Sequence, residues 1–228
     1  MRDEYIRDFG EELGLLIYPA YSDWVEAAYM WQELSDLVKS EGRVKLLKEV
    51  CPVAFRHITK CMLIAIILSV CRLTDPSKDR KNTNISVQHL KSDSDLFKQL
   101  SSGTQAKLHG LDLVIEKALS SATRLRHLRH KRIAHKDAVE HAKAGKGEVE
   151  IVTMLDVKSA IDDIHSVFAF VSFRLQGADL INEVIGPGKG TSALLYCLAR
   201  GHVMHERLLT RELESNEEIE SEIRSILN

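Results

Sequence analysis

Arg129, His130 and His135 fall within the stretch RLRHLRHKRIAHKDA, Arg124 to Ala138, which carries six Arg or Lys and three His before its first acid, Asp137. Arginine offers a planar fork of N–H donors that fits phosphate, and histidine exchanges a proton near neutral pH. The same charges would also be favoured at the C-terminus of a helix with no function at all, by ~0.3 to 1 kcal/mol each. What lifts this run above a solvated charged face is its apolar pair: Ile133 and Ala134 pin the segment into a core, so His135 must point somewhere defined.

Other constellations are weaker. His127 and His130 stand three apart on one helical face, as do His202 and His205 beside Glu206, but neither set has a third ligand at known spacing, so no metal is expected. IGPGKGTS, Ile185 to Ser192, lacks the full phosphate-loop spacing and a preceding strand, and reads as an inter-helix loop. Aromatic residues make up 6% of the chain and none interleave with the basic run, which excludes an evident base-stacking platform.

The 228 residues are 44% hydrophobic and 28% charged with a formal net charge of −2, which fits one globular unit and excludes a bulk polyanion binder. Charge is uneven all the same: Arg211 to Asn228 holds six Glu against two Arg, an acidic tail opposite the basic focus. Cys51, Cys61, Cys71 and Cys197 show no metal or disulfide spacing and read mostly as buried thiols. The charged N-terminus lacks a signal-peptide core, and the apolar run Cys61 to Cys71 is about half the ~20 residues that span a bilayer. The expectation is a cytoplasmic protein with no membrane partner.

Apolar spacing is helical almost throughout, which predicts an all-α protein. A first helix is expected over Glu4 to Ile17, stopped by Pro19, with Ser22 capping a second that carries Trp24, Ala28, Trp31, Leu34 and Val38; Gly42 separates the next segment. From Pro52 a central helix is expected to run to about Thr74, and its middle, MLIAIILSV, is apolar all round, as in a helix buried within a bundle. Asp75 to Asn84 reads as a polar loop and Ser86 to Leu90 as a short helix. A long helix over Gln105 to Arg132 delivers the basic run at its C-terminal end. VEIVTM is the one candidate strand, Asp156 caps a helix to about Leu175 with Ile161, Ile164, Phe168 and Val171 inward, and a last helix begins at Ser192 and runs to about Glu212, with the acidic tail extending it.

Arg129-His130 followed after four more residues by His135 resembles the signature of HEPN domains, an Arg and a polar residue followed at short distance by a His. RHKRIAHKD, CRLTDP at Cys71 to Pro76 and the following NISVQHL are similar to the AbiU-type abortive-infection branch of that superfamily. The resemblance covers roughly Pro52 to Leu175. It implies an HEPN-like helical bundle over residues 51–176, with helical extensions over 1–50 and 177–228, and a two-fold homodimer whose motifs face each other in a cleft. His130 stands where Asn is frequent in the family.

The resemblance further implies a metal-independent endoribonuclease with Arg129 and His135 as catalytic residues. His135 would take the proton of a ribose 2'-OH, which attacks the adjacent phosphorus, while Arg129 holds charge on the equatorial oxygens. His130, Arg72 and Asp75 are expected to support the site, and Arg126, Lys131, Arg132 and Lys136, with Arg124, to draw in the RNA backbone. No cofactor is called for, and an antitoxin protein is a candidate partner. The alternative is a catalytically silent HEPN bundle that binds RNA, a nucleotide or a protein. On an ideal α-helix Arg129 and His135 lie about 120° apart, so either the helix unwinds near Ile133 or the site is completed across the dimer axis.

Overall fold

The computed structural model describes residues 2–79, 81–134, 152–180, 190–210 and 216–228. Among these, eleven α-helices account for nearly all regular structure: α1 (Arg2–Phe9), α2 (Glu11–Leu37), α3 (Glu41–Val50), α4 (Pro52–Thr74), α5 (Asp95–Lys98), α6 (Ser102–Lys107), α7 (Leu111–Ser121), α8 (Thr123–Leu128), α9 (Met154–Gln176), α10 (Thr191–Thr210) and α11 (Asn216–Leu227). A 3-10 turn covers Val87–Leu90 and a π-helical turn covers Arg129–Ala134. The polar loop after α4 contains one two-residue antiparallel ribbon, β1 (Lys78–Asp79) and β2 (Asn82–Thr83), with Lys78 opposite Thr83. The chain is all-α, as its periodicity predicts.

Two compact units form, one from Met1–Ala28 with Ile64–Asn182, the other from Tyr29–Leu63 with Glu183–Asn228. In the first, α9 packs along α7. Ile161, Ile164, Phe168 and Val171 of α9 are buried as expected, and Ile115 and Ala118 of α7 are fully covered. Phe168 also meets Tyr21 edge-on at 5.6 Å and Trp24 at 5.8 Å, which adds aromatic contact to its burial. In the second, Leu46 of α3, Ala199 and Val203 of α10 and Ile223 of α11 make one core, while Leu37, Leu47 and Leu195 make another with Phe55 and Met62.

Several boundaries differ from expectation for local reasons. Pro19 does not stop a helix: the break falls at Gly10, whose φ of +76° suits only glycine, and α2 runs through both Pro19 and Ser22. Proline costs a hydrogen bond there, but Ile17, Ala20 and Trp24 on either side are buried and offset it. Ser22 is no cap; its hydroxyl donates to the Tyr18 carbonyl at 3.1 Å within the helix. Gly42 lies inside α3 behind the cap Ser40, and a Cβ there would meet the Ile226 carbonyl oxygen at 2.1 Å, so glycine permits the close approach of α11. The long helix expected over Gln105 to Arg132 is broken at Gly110, φ +90°, and again at Ala122.

α4 has the expected limits, Pro52–Thr74, but its apolar middle, residues 62–70, is not buried all round: Ile66, Ile67 and Val70 are buried and Leu68 is exposed. Beyond it Cys71 and Leu73 are buried, and before it Val53 and Ile58 are exposed, because only the C-terminal part belongs to the core of the first unit. By length and composition the helix could also cross a membrane, a property that the run Cys61 to Cys71 alone underestimates. α10 ends at Thr210 and the acidic tail forms its own helix, α11, tied by Tyr196 Oη to Glu220 at 2.6 Å and by an Arg207–Glu222 ion pair. The loop expected over IGPGKGTS lies outside the described residues up to residue 189, as does the first half of VEIVTM; in its second half Val152 and Thr153 are not strand and Met154 opens α9.

Thr153, not Asp156, is the cap of α9. Its hydroxyl accepts the Asp156 N–H at 3.2 Å, and the Asp156 carboxylate accepts the Thr153 N–H at 2.8 Å, a reciprocal capping box. The Thr153 hydroxyl, 2.7 Å from Asp156 Oδ2, then the Thr153 N–H and Arg124 at 3.1 Å, hold the Asp156 carboxyl below the usual carboxylate range. Thr153→Ala is expected to cost about 1 kcal/mol of stability, read as a lowered midpoint in urea unfolding.

Candidate functional site

The site is built on the C-terminal end of α4. A helix leaves its last carbonyls without partners, and here each finds a specific donor. The Ser86 hydroxyl lies 2.6 Å from the Asp75 carbonyl oxygen and 3.1 Å from that of Leu73, and accepts the Gln88 N–H at 3.2 Å. Thr74 O accepts from Arg126 Nη1 at 2.8 Å and from Gln88 Nε2 at 3.0 Å. The Arg126 charge thus sits at the negative end of the α4 dipole. The chain past the helix is fixed at Asp75.

Arg129 opens the π turn that follows α8, and its Nη1 donates to Asp75 Oδ2 at 2.6 Å. That hydrogen bond raises the guanidinium above its ordinary value, with burial opposing. The pair is partly buried, with side chains 30% and 22% exposed, so the guanidinium keeps donors towards solvent while one edge is held. Cys71, one turn back on α4, is fully buried; burial pushes its thiol up to about 11, against the pull of Arg129 and Arg126. Two arginines, one carboxylate and the end of a helix dipole therefore meet across 54 residues of chain.

The structure brings together two of the expected site residues, Arg129 and Asp75. Arg72 turns elsewhere, its Nε on Asp23 Oδ2 at 2.9 Å, and burial still raises the Asp23 carboxyl against that cation. Arg126 directs Nη1 at Thr74 O and Nη2 at Leu119 O, 2.9 Å, and Thr123 Oγ1, 3.3 Å. His130 is exposed and Lys131 half-buried on the π turn that also carries Arg132. His135 and Lys136 lie outside the described residues, and Ile133 is described in its backbone alone. The turn that carries Arg129 is π-helical through Ala134, and the angular relation of Arg129 to His135 lies outside the described residues.

Ser86 and Gln88 were not singled out by sequence, although Ser86 is a helix cap by type and stands in the NISVQHL segment. Elsewhere His202 Nε2 lies 3.7 Å from Glu49 Oε2, and no group of three or more ligating side chains converges among the described residues.

The cysteines divide sharply: Cys71 is buried, Cys51 is half-buried, and Cys61 and Cys197 are exposed, so the reading of mostly buried thiols is corrected. At pH 8 a thiol reagent is expected to modify Cys61 and Cys197 in the native protein and to reach Cys71 only after unfolding, as mass spectrometry of peptides would show.

The family model described as AbiU2, within the HEPN class, matches residues 13–186, more than half of the chain and all of the segment from α4 to the π turn. No curated protein and no solved structure matches it. With an all-α fold and an Arg129 anchored at the head of its motif, the chain belongs to the AbiU2 family of HEPN domains, an abortive-infection-related family.

Proposed function

We propose that the protein is a metal-independent endoribonuclease acting in abortive infection, with RNA as substrate and a homodimer as the active species. The observation that carries this reading is the Arg129–Asp75 pair: a guanidinium held by a carboxylate at 2.6 Å and still 30% exposed is a preorganised phosphate holder. Arg129 binds the scissile phosphate and stabilises charge on its equatorial oxygens. His135, six residues on, takes the 2'-OH proton as that oxygen attacks phosphorus; the bond to the 5'-oxygen breaks, and that oxygen leaves with a proton drawn from solvent water. His130, Lys131, Arg132 and Lys136 add positive or titratable groups for the RNA backbone. An antitoxin protein is the partner that would hold such an activity in check, in a phage-defence or toxin–antitoxin setting.

Cleavage by this route leaves a 2',3'-cyclic phosphate and a 5'-hydroxyl, proceeds in excess chelator, and spares DNA of the same sequence, which has no 2'-OH. End-group analysis of RNA fragments checks it. A 5'-phosphate end, or loss of activity in chelator, points to a metal-activated water and ends the proposal. Binding of RNA with no cleavage makes the protein a silent HEPN bundle.

A further inference from the structure

Arg126 belongs to the basic run, yet its donors are turned inward. It ties the last turn of α4, through Thr74 O, to the end of α7, through Leu119 O. Ser86 is fully buried and bridges the carbonyls on either side of Thr74. Between them they fix both ends of the Asp75–Arg129 pair, since Asp75 directly follows Thr74 and Arg129 follows Arg126 by less than one turn. Gln88 closes the arrangement by bonding both Thr74 O and Ser86 Oγ.

We infer that Arg126 and Ser86 are positioning residues of the active site: they lock the chain at Asp75 so that its carboxylate orients the Arg129 guanidinium, and neither touches RNA. The inference rests on the reading of Arg129 as the phosphate holder. It deepens that reading by dividing the basic run in two, Arg126 being a strut and the residues from Arg129 onward the substrate face. A carbonyl that loses its donor here is free to turn, and a displacement of ~1 Å at the reacting phosphate is enough to cost about 100-fold in rate.

The test compares wild type, Arg126→Gln, Arg126→Lys and Ser86→Ala as full-length proteins, with folding checked by circular dichroism. Arg126→Gln and Ser86→Ala are expected to lower kcat about 10- to 100-fold with KM changed by less than about twofold. Arg126→Lys, which can still reach one carbonyl, recovers part of the loss. The slope of RNA affinity against salt stays at the wild-type value in Arg126→Gln, whereas loss of a phosphate contact would make it shallower by about 0.7.

An NMR readout is independent of cleavage: the Arg129 guanidinium N–H signal, protected in wild type, becomes exchange-broadened in both variants. A shallower salt slope in Arg126→Gln overturns the inference, because Arg126 is then an RNA contact. Wild-type kcat and an unchanged Arg129 signal in Ser86→Ala overturn it too, and this variant, like Arg126→Lys, carries the test if Arg126→Gln does not fold. Should wild type not cleave RNA at all, only the nuclease reading falls; the Arg129 signal then decides positioning alone, and its retention in both variants refutes it.

Discussion

Arg129→Ala is expected to lower kcat/KM for RNA by about 10²- to 10³-fold, and His135→Ala by about 10²- to 10⁴-fold, with the fold retained in both. In the proposed mechanism the two losses have different origins. Arg129 would supply donors where negative charge develops, and its replacement would remove that stabilisation while leaving Asp75 without its cation. Lysine at this position restores the charge but not the planar fork, so Arg129→Lys should recover little. His135 supplies proton transfer, so its loss flattens the pH–rate profile where the histidine titrates, a signature that Arg129→Ala does not share. Single-turnover kinetics on a defined RNA, at several pH values in chelator, measure both. A variant that keeps the wild-type rate removes its residue from the mechanism.

Asp75→Asn probes the same site more gently, since the amide oxygen still accepts from Arg129 but no longer carries charge. The raised guanidinium value at Arg129 follows first from the hydrogen bond with Asp75 and only then, after burial, from its charge.

Much of the frame was legible because strong local signals coincide with burial. Pro52 at the first helical position and the polar run from Asp75 fixed the limits of α4, and the apolar positions of α9 were read correctly from their 3.6-residue period. Pro19 shows where such signals fail: a proline argues for a stop, but the helix around it is held by tertiary burial that no local rule contains. Gly110 shows the opposite error, an unremarked glycine whose positive φ breaks an otherwise helical pattern. At the site, Arg129 and Asp75 could each be named from motif resemblance, but their pairing could not, since nothing in the chain between these residues, 54 positions apart, encodes which acid meets which base. The bonds of Arg126 to Thr74 O and Leu119 O are hidden in the sequence for a related reason. Within a basic run every arginine looks alike, and only the position of the α4 carbonyls shows that this one faces inward.

Mixing Arg129→Ala chains with His135→Ala chains is expected to restore activity that neither protein has alone. In a dimer whose sites combine Arg129 of one copy with His135 of the other, a 1:1 mixture that exchanges freely forms heterodimers in half of the population, each with one complete site of two. Recovery should therefore reach about a quarter of the wild-type rate. If each site is instead built within one chain, both sites of the heterodimer lack one residue and nothing is recovered. The two clusters of like charge that would face each other in a trans site, Arg129 with the basic residues around it, weigh against close approach unless RNA phosphates lie between them. The recovery measurement, made with and without preincubation on a non-cleavable 2'-deoxy substrate analogue, separates the two: recovery that appears in both cases establishes the shared site, recovery only after preincubation makes RNA the bridge between the copies, and none in either places Arg129 and His135 of one chain in one site.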